Sequence, residues 1–148
     1  MQERTVDAIY TSCLKRTQET AQLAFPERKV QPIADFDERG FGQWEGLTAD
    51  EIEAAFPEVW QAWLEAPFEV TPPEAEVFSD FQTRVWTATD RLLDTTDESI
   101  ALVAHLGVLR LIYQHLVDRA AVFWNIDVPQ GRVLLLEERD QTWQATLL

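Results

Sequence analysis

The sequence predicts an α/β protein, a three-layer α/β/α sandwich whose sheet is mostly parallel with one antiparallel strand. Three observations lead there. Short apolar runs alternate with segments of helical spacing along most of the chain. Ile100 to Ala104 is a fully apolar run of five residues, the kind found in a parallel sheet covered on both faces. The chain then closes on two strand-like segments joined by a polar turn, which supplies the antiparallel element. At 148 residues and 46% hydrophobic content it fits a single domain, 1–148, able to bury a core without disulfides or metal.

Taken in order, Val6 to Thr11 reads as a strand, and good helix formers from Leu14 to Ala24 run until Phe25-Pro26 stops them. Lys29 to Phe36 reads as a second strand. Gly40, Gly42 and Gly46 then mark a flexible loop that holds Glu38, Arg39, Trp44 and Glu45. Thr48 with Glu51 forms a capping-box pattern, and Pro57 opens a second short helix that ends before Pro67. Phe68 to Glu76 is a proline-rich connection. Phe78, Phe81, Val85, Ala88 and Leu92 recur at helical spacing, so Ser79 to Leu93 is expected to be an amphipathic helix capped near Ser79 or Asp80. The Ile100 to Ala104 strand leads through His105 into an apolar helix from Gly107 to Val117. Arg132 to Glu137 and Thr142 to Leu147 form the closing hairpin around Arg139, Asp140 and Gln141.

Twelve basic and 26 acidic side chains leave a net charge of −14, which repels nucleic-acid backbones and anionic lipid; neither partner is expected. Scattered as they are, the acidic residues read as a solvated surface. The single Cys13 cannot make an internal disulfide, no Cys/His cluster has zinc spacing, and no apolar run approaches membrane-spanning length. A cytoplasmic setting is the default expectation. Met1-Gln2-Glu3-Arg4 does not open like a secretory signal.

Ligands on open α/β sheets bind beyond the strand carboxyl ends. Two such ends carry chemistry here: Thr11, Ser12 and Arg16 after the first strand, and His105 with Gly107 after the apolar one. Arg16, one turn into a helix, offers a cationic fork suited to phosphate. His105 at the mouth of the sheet is placed to contact a phosphoryl group. Glu38, in the glycine-rich loop, has the chemistry of a proton donor to a leaving alkoxide. His115 suits the dipole at a helix carboxyl end and is assigned no catalytic role. Trp60 and Trp63, three apart on a short helix, are expected to pack.

The segments IYTSCLKRTQETA, DERGFGQWEG and IALVAHLGVLRLI, in this order, resemble successive signatures of the histidine phosphatase (phosphoglycerate mutase-like) superfamily. The resemblance covers nearly the whole chain. In that family a histidine in an Arg-His-Gly motif on the first strand attacks the phosphoryl group, and the phosphohistidine is then resolved by water or a second substrate. The resemblance implies that Arg16 binds phosphate, that His105 is the second pocket histidine, and that Glu38 protonates the leaving oxygen. Ser12 joins Arg16 as a phosphate-binding candidate. Glu76, in PPEAE, stands where the family often has Gly-Glu-Ser, although Ala75 and Val77 depart from that motif. No metal or organic cofactor is implied, and the expected ligand is a small phosphorylated metabolite.

One departure is large. His105 and His115 are the only histidines and neither lies in an Arg-His-Gly, so the family's nucleophile is missing. The resemblance places the absent strand inside the sheet, between Ile100 to Ala104 and the hairpin strand near Arg132. An unpaired edge there is expected either to be closed by the hairpin or to pair with a second copy, giving a homodimer. The expected function is phosphomonoester hydrolysis through a phosphohistidine in the complete form, with this chain inactive or impaired. The alternative is a non-catalytic pseudophosphatase serving as a binding or dimerisation module.

Overall fold

A computed structural model of the chain describes residues 5–95 and 97–148. The opening Met1 to Arg4, read above as carrying no leader, lies outside the described residues. The chain falls into two compact units: one comprises the chain up to Glu38 together with Val85–Leu148, the other Arg39–Arg84.

The first unit is built on a parallel sheet of β1 (Ala8–Thr11), β2 (Val30–Pro32) and β3 (Ile100–Val103), in the order β2-β1-β3. Helix α1 (Lys15–Ala24) connects β1 to β2 and ends at Phe25, whose N–H closes on the Ala21 carbonyl at 2.8 Å. β2 is shorter than the strand expected over Lys29 to Phe36. Ile33 still donates to the Thr11 carbonyl at 2.8 Å, so the nitrogen of Pro32 points away from β1 and costs the ladder nothing; the strand stops because the chain then winds into a 3₁₀ turn, Ala34–Phe36, that buries Phe36. The hydrophobic core of this unit gathers Ile9, Ala21, Phe36, Val85, Val108, Leu111 and Phe123.

β3 differs from the fully covered strand its composition suggests: each of its residues is only half-buried, whereas β1 alternates between buried and half-buried. The ladder explains this. Asp7 and Ser12 donate to the Ser99 and Val103 carbonyls, at 2.7 and 3.2 Å. The odd-numbered peptide groups of β3 therefore face β1, and those of Ile100 and Leu102 face the opposite edge, where no strand pairs among the described residues. The closing hairpin does not fill that edge. β4 (Leu134–Arg139) and β5 (Thr142–Leu147) pair only with each other, in a separate antiparallel sheet. Asp140 and Gln141 turn it with φ of 53° and 65°, the doubly positive pattern that matches hairpin twist. β4 begins later than the Arg132 expected, because Arg132 is tied into a turn on the Pro129 carbonyl at 3.0 Å. Helix α5 (Leu106–Leu116) starts directly after His105.

In the second unit the capping box forms as its sequence requires: Glu51 N–H meets Thr48 Oγ1 at 3.2 Å, and Thr48 N–H meets Glu51 Oε1 at 2.9 Å, opening α2 (Ala49–Ala55). Pro57 opens α3 (Pro57–Glu65). Trp60 and Trp63 stack at 5.8 Å, each 5.7 Å from the buried Trp44, so the tryptophans pack on one another. Gly42 is required where it stands: its φ is +55°, and a Cβ would strike the Pro73 carbonyl. Helix α4 (Phe78–Leu93) begins in this unit and continues into the first, one residue ahead of the expected start, so Ser79 and Asp80 fall within its opening turn. Among the described residues no helix is long and apolar enough to cross a membrane.

Candidate active site

The carboxyl ends of β1 and β3 lie side by side, with Thr11 paired to Val103, and this register brings Ser12 and His105 together. Both are buried: Ser12 is fully enclosed and His105 is 7% exposed. His105 Nε2 lies 2.9 Å from Ser12 Oγ, and Ser12 Oγ lies 2.7 Å from Thr17 Oγ1 in the first turn of α1. Thr17 Oγ1 in turn donates to the Leu14 carbonyl at 2.8 Å. The exposed side chain of Arg16 reaches back from α1 so that Nη2 lies 3.4 Å from His105 Nδ1.

Glu38 arrives from the segment after the 3₁₀ turn and sets its carboxylate at the opening of α5. Gly107 N–H reaches Glu38 Oε2 at 3.4 Å, and a Cβ on Gly107 would come within 2.5 Å of Glu38 Oε1. A glycine at 107 is what lets the carboxylate rest there. Asp37, beside it, accepts from Cys13 N–H at 2.7 Å and ties this segment to the loop after β1. The imidazole of His105 is held below the ordinary 6.5 mainly by burial; Glu38 pulls upward, Arg16 downward and Asp37 upward. The rim thus joins a guanidinium and a buried imidazole, groups that suit an oxyanion, with the Glu38 carboxylate on the amino end of α5 beside them.

Arg16, Ser12 and His105 are brought together as their strand-end positions predict, and Glu38 joins them from the segment leading into the glycine-rich loop. Two candidates are engaged elsewhere. Thr11 spends its hydroxyl on the Ser12 carbonyl at 2.7 Å. Glu76 belongs to the second unit, where Arg84 grips its carboxylate through Nε at 2.7 Å and Nη2 at 2.9 Å. Thr17 and Asp37 escaped the sequence reading. Thr17 stands next to Arg16 and five residues after Ser12, a spacing that signals nothing until β1 turns into α1. His115, given no catalytic role, lies near the other end of α5: Nε2 is 2.7 Å from Asp90 and Nδ1 is 2.9 Å from Arg119, while its ring stacks on Trp86 at 4.8 Å.

The sequence profile of the histidine phosphatase superfamily (branch 1) matches residues 1–148. This chain belongs to that superfamily. It is 32% identical over 129 residues to the adenosylcobalamin/alpha-ribazole phosphatase of Escherichia coli, a match covering 84% of this chain and 64% of that protein. It is 33% identical over 133 residues to the fructose-2,6-bisphosphatase of Saccharomyces cerevisiae, covering 88% of this chain and 28% of the relative. The chain therefore spans less than two thirds of either. Among solved structures, the alpha-ribazole phosphatase of Shigella flexneri superposes with a TM-score of 0.90 at 25% identity, over 100% of this chain and 75% of that one. The superfamily's fold, a parallel sheet with antiparallel strands, is the fold expected above.

Proposed function

We propose that this chain carries the phosphate-holding side of a phosphomonoester-hydrolysing site for a small phosphorylated metabolite. The observation that supports this reading is the convergence of Arg16, His105 and Glu38 on one rim of a histidine phosphatase fold. Arg16 and His105 grip the phosphoryl oxygens, and Glu38 protonates the departing alkoxide. Attack on phosphorus requires an imidazole in line with the leaving group, and neither His105 nor His115 lies in an Arg-His-Gly. His105 sits beside the anion as a donor. In the complete form, a strand bearing that motif joins the open edge of β3, its histidine takes the phosphoryl group, and water releases it as phosphate.

The test is hydrolysis of p-nitrophenyl phosphate by the chain, by its Arg16→Ala variant, and by a version lengthened at its amino end with the upstream genomic sequence. Turnover confined to the lengthened version is the expected result; Arg16-dependent turnover by the chain itself would overturn the account of the nucleophile. The missing motif favours one second reading, a pseudophosphatase that binds without reacting, and silence in both versions selects it. The bare edge of β3 fits pairing of two copies. Sedimentation is then expected to report a dimer for the chain and a monomer for the lengthened version.

A further inference from the structure

The contacts of His105 fix where its single proton lies, and they do so from both sides of the ring. Thr17 has one hydroxyl hydrogen, and its 2.8 Å partner, the Leu14 carbonyl, can only accept it. Thr17 Oγ1 is therefore the acceptor in its 2.7 Å contact with Ser12. That contact uses the one hydrogen of Ser12, so Ser12 Oγ must accept from His105 Nε2, 2.9 Å away. On the opposite side the guanidinium of Arg16, which has no acceptor, meets Nδ1 at 3.4 Å. The imidazole thus carries its hydrogen on Nε2 and shows a lone pair on Nδ1, the nitrogen on the side of the exposed Arg16. A lone pair repels an oxyanion arriving there.

Resting on the reading of this rim as an anion site, we propose that Ser12 and Thr17 are positioning residues that lock His105 in its Nε2–H form, so that an oxyanion bound by Arg16 is taken up together with one proton on Nδ1. Ser12 is thereby reassigned from phosphate ligand to the support of a ligand. The proton comes from solvent and forms a new N–H bond on Nδ1. Nε2–H continues to donate to Ser12, Nδ1–H donates to the anion, and Arg16 exchanges its long contact with Nδ1 for the anion. The charged groups facing the ring are Arg16 from α1 and Asp37 and Glu38 from the segment before the second unit. Arg16 opposes the added charge until the anion neutralises it, and the two carboxylates favour it. Burial disfavours the charged imidazole in the free protein, so above its lowered pKa the uptake accompanies binding.

Sulfate is the probe, because it stays dianionic between about pH 5 and about pH 8, the range of histidine titration. Its affinity is measured by NMR titration at constant ionic strength in the wild type and in Ser12→Ala, a small truncation whose one further loss is the 3.3 Å contact that Ser12 Oγ accepts from Leu14 N–H. In the wild type the affinity is expected to fall, above the pKa of the free imidazole, towards about tenfold per pH unit, the limit for one coupled proton. In Ser12→Ala the ring is released to carry a neutral Nδ1–H, and the fall is expected to shrink to less than about threefold per unit. Long-range nitrogen correlations of the two histidines, with His115→Gln for assignment, are expected to place the free-state proton of His105 on Nε2. A pH-independent wild-type affinity, an even loss in Ser12→Ala with its slope intact, or an Nδ1–H free state each overturns the coupling while leaving the anion site standing. Absence of sulfate binding at every pH removes the anion site and the coupling with it.

Discussion

The two histidines stand at opposite ends of α5 and have the same outward pattern: both ring nitrogens engaged, an arginine on Nδ1, and an oxygen on Nε2. They differ in what the partners leave over. At His115 the Nε2 partner is the carboxylate of Asp90, 65% exposed, Arg119 closes to 2.9 Å, and Trp86 covers the ring face, leaving its side chain 12% exposed. Asp90 and Trp86 bind the end of α5 to α4, and Arg119 ties it to the turn that follows. At His105 the Nε2 partner is a buried hydroxyl whose own hydrogen is spent, and Arg16 stays at 3.4 Å on the exposed side. The first arrangement is closed; the second keeps a nitrogen and a guanidinium for something that arrives. Residue type and charge do not separate a clamp from a site, whereas residual hydrogen-bonding capacity does.

The largest effect that tests the comparison is loss of anion binding. Arg16→Ala and His105→Ala are each expected to weaken sulfate binding about tenfold or more, as removal of a charge-assisted hydrogen bond does. His115→Ala is expected to leave it unchanged. Equal losses at the two histidines would erase the distinction. Next comes Gly107→Ala. Its new Cβ would have to displace the far end of the flexible Glu38 side chain, so the carboxylate moves off the α5 opening while the stability read from a denaturant midpoint is expected to change by no more than about 1 kcal/mol. His115→Ala should show the reverse profile to Arg16→Ala: about 1 kcal/mol of stability lost with the stacked ring, and full affinity retained.

The smallest effect is in pH dependence. Burial lowers the pKa of His105 in the folded chain below 6.5, so below that pH the unfolded chain takes the proton first. The stability owed to neutral His105 is therefore complete above pH 6.5 and is lost as pH falls towards the folded-state pKa. His105→Asn is expected to show a shallower acid decline than the wild type in denaturant titrations across that interval. The carboxylates are the same in both proteins, so the difference isolates this ring. Identical slopes would mean that the imidazole is not burdened by burial.

Local chemistry was legible in the chain wherever it acts over a few residues. The capping box at Thr48 and Glu51, the stop at Phe25-Pro26 and the helical stripe through Phe81 and Val85 are all i to i+4 patterns, and each forms as written. Strand ends were legible for a related reason. An apolar run that breaks at a polar residue marks where a sheet rim begins, which identified Ser12 and His105 before any geometry was known. The absence of an Arg-His-Gly was equally plain from the sequence alone.

Tertiary structure decided the rest. Whether Ser12 faces a ligand or a neighbour depends on an imidazole 93 residues away in sequence, a pairing set by the register of β1 against β3. The shortening of β2 followed from the 3₁₀ turn Ala34–Phe36, which puts Phe36 into the core and ends the strand. The half-buried state of β3 could not be read from Ile100 to Ala104, because composition records that a strand wants to be covered and only the assembled sheet decides whether a neighbour covers it. Sequence sets what each residue offers; the long-range pairing of strands sets which of those offers is already taken.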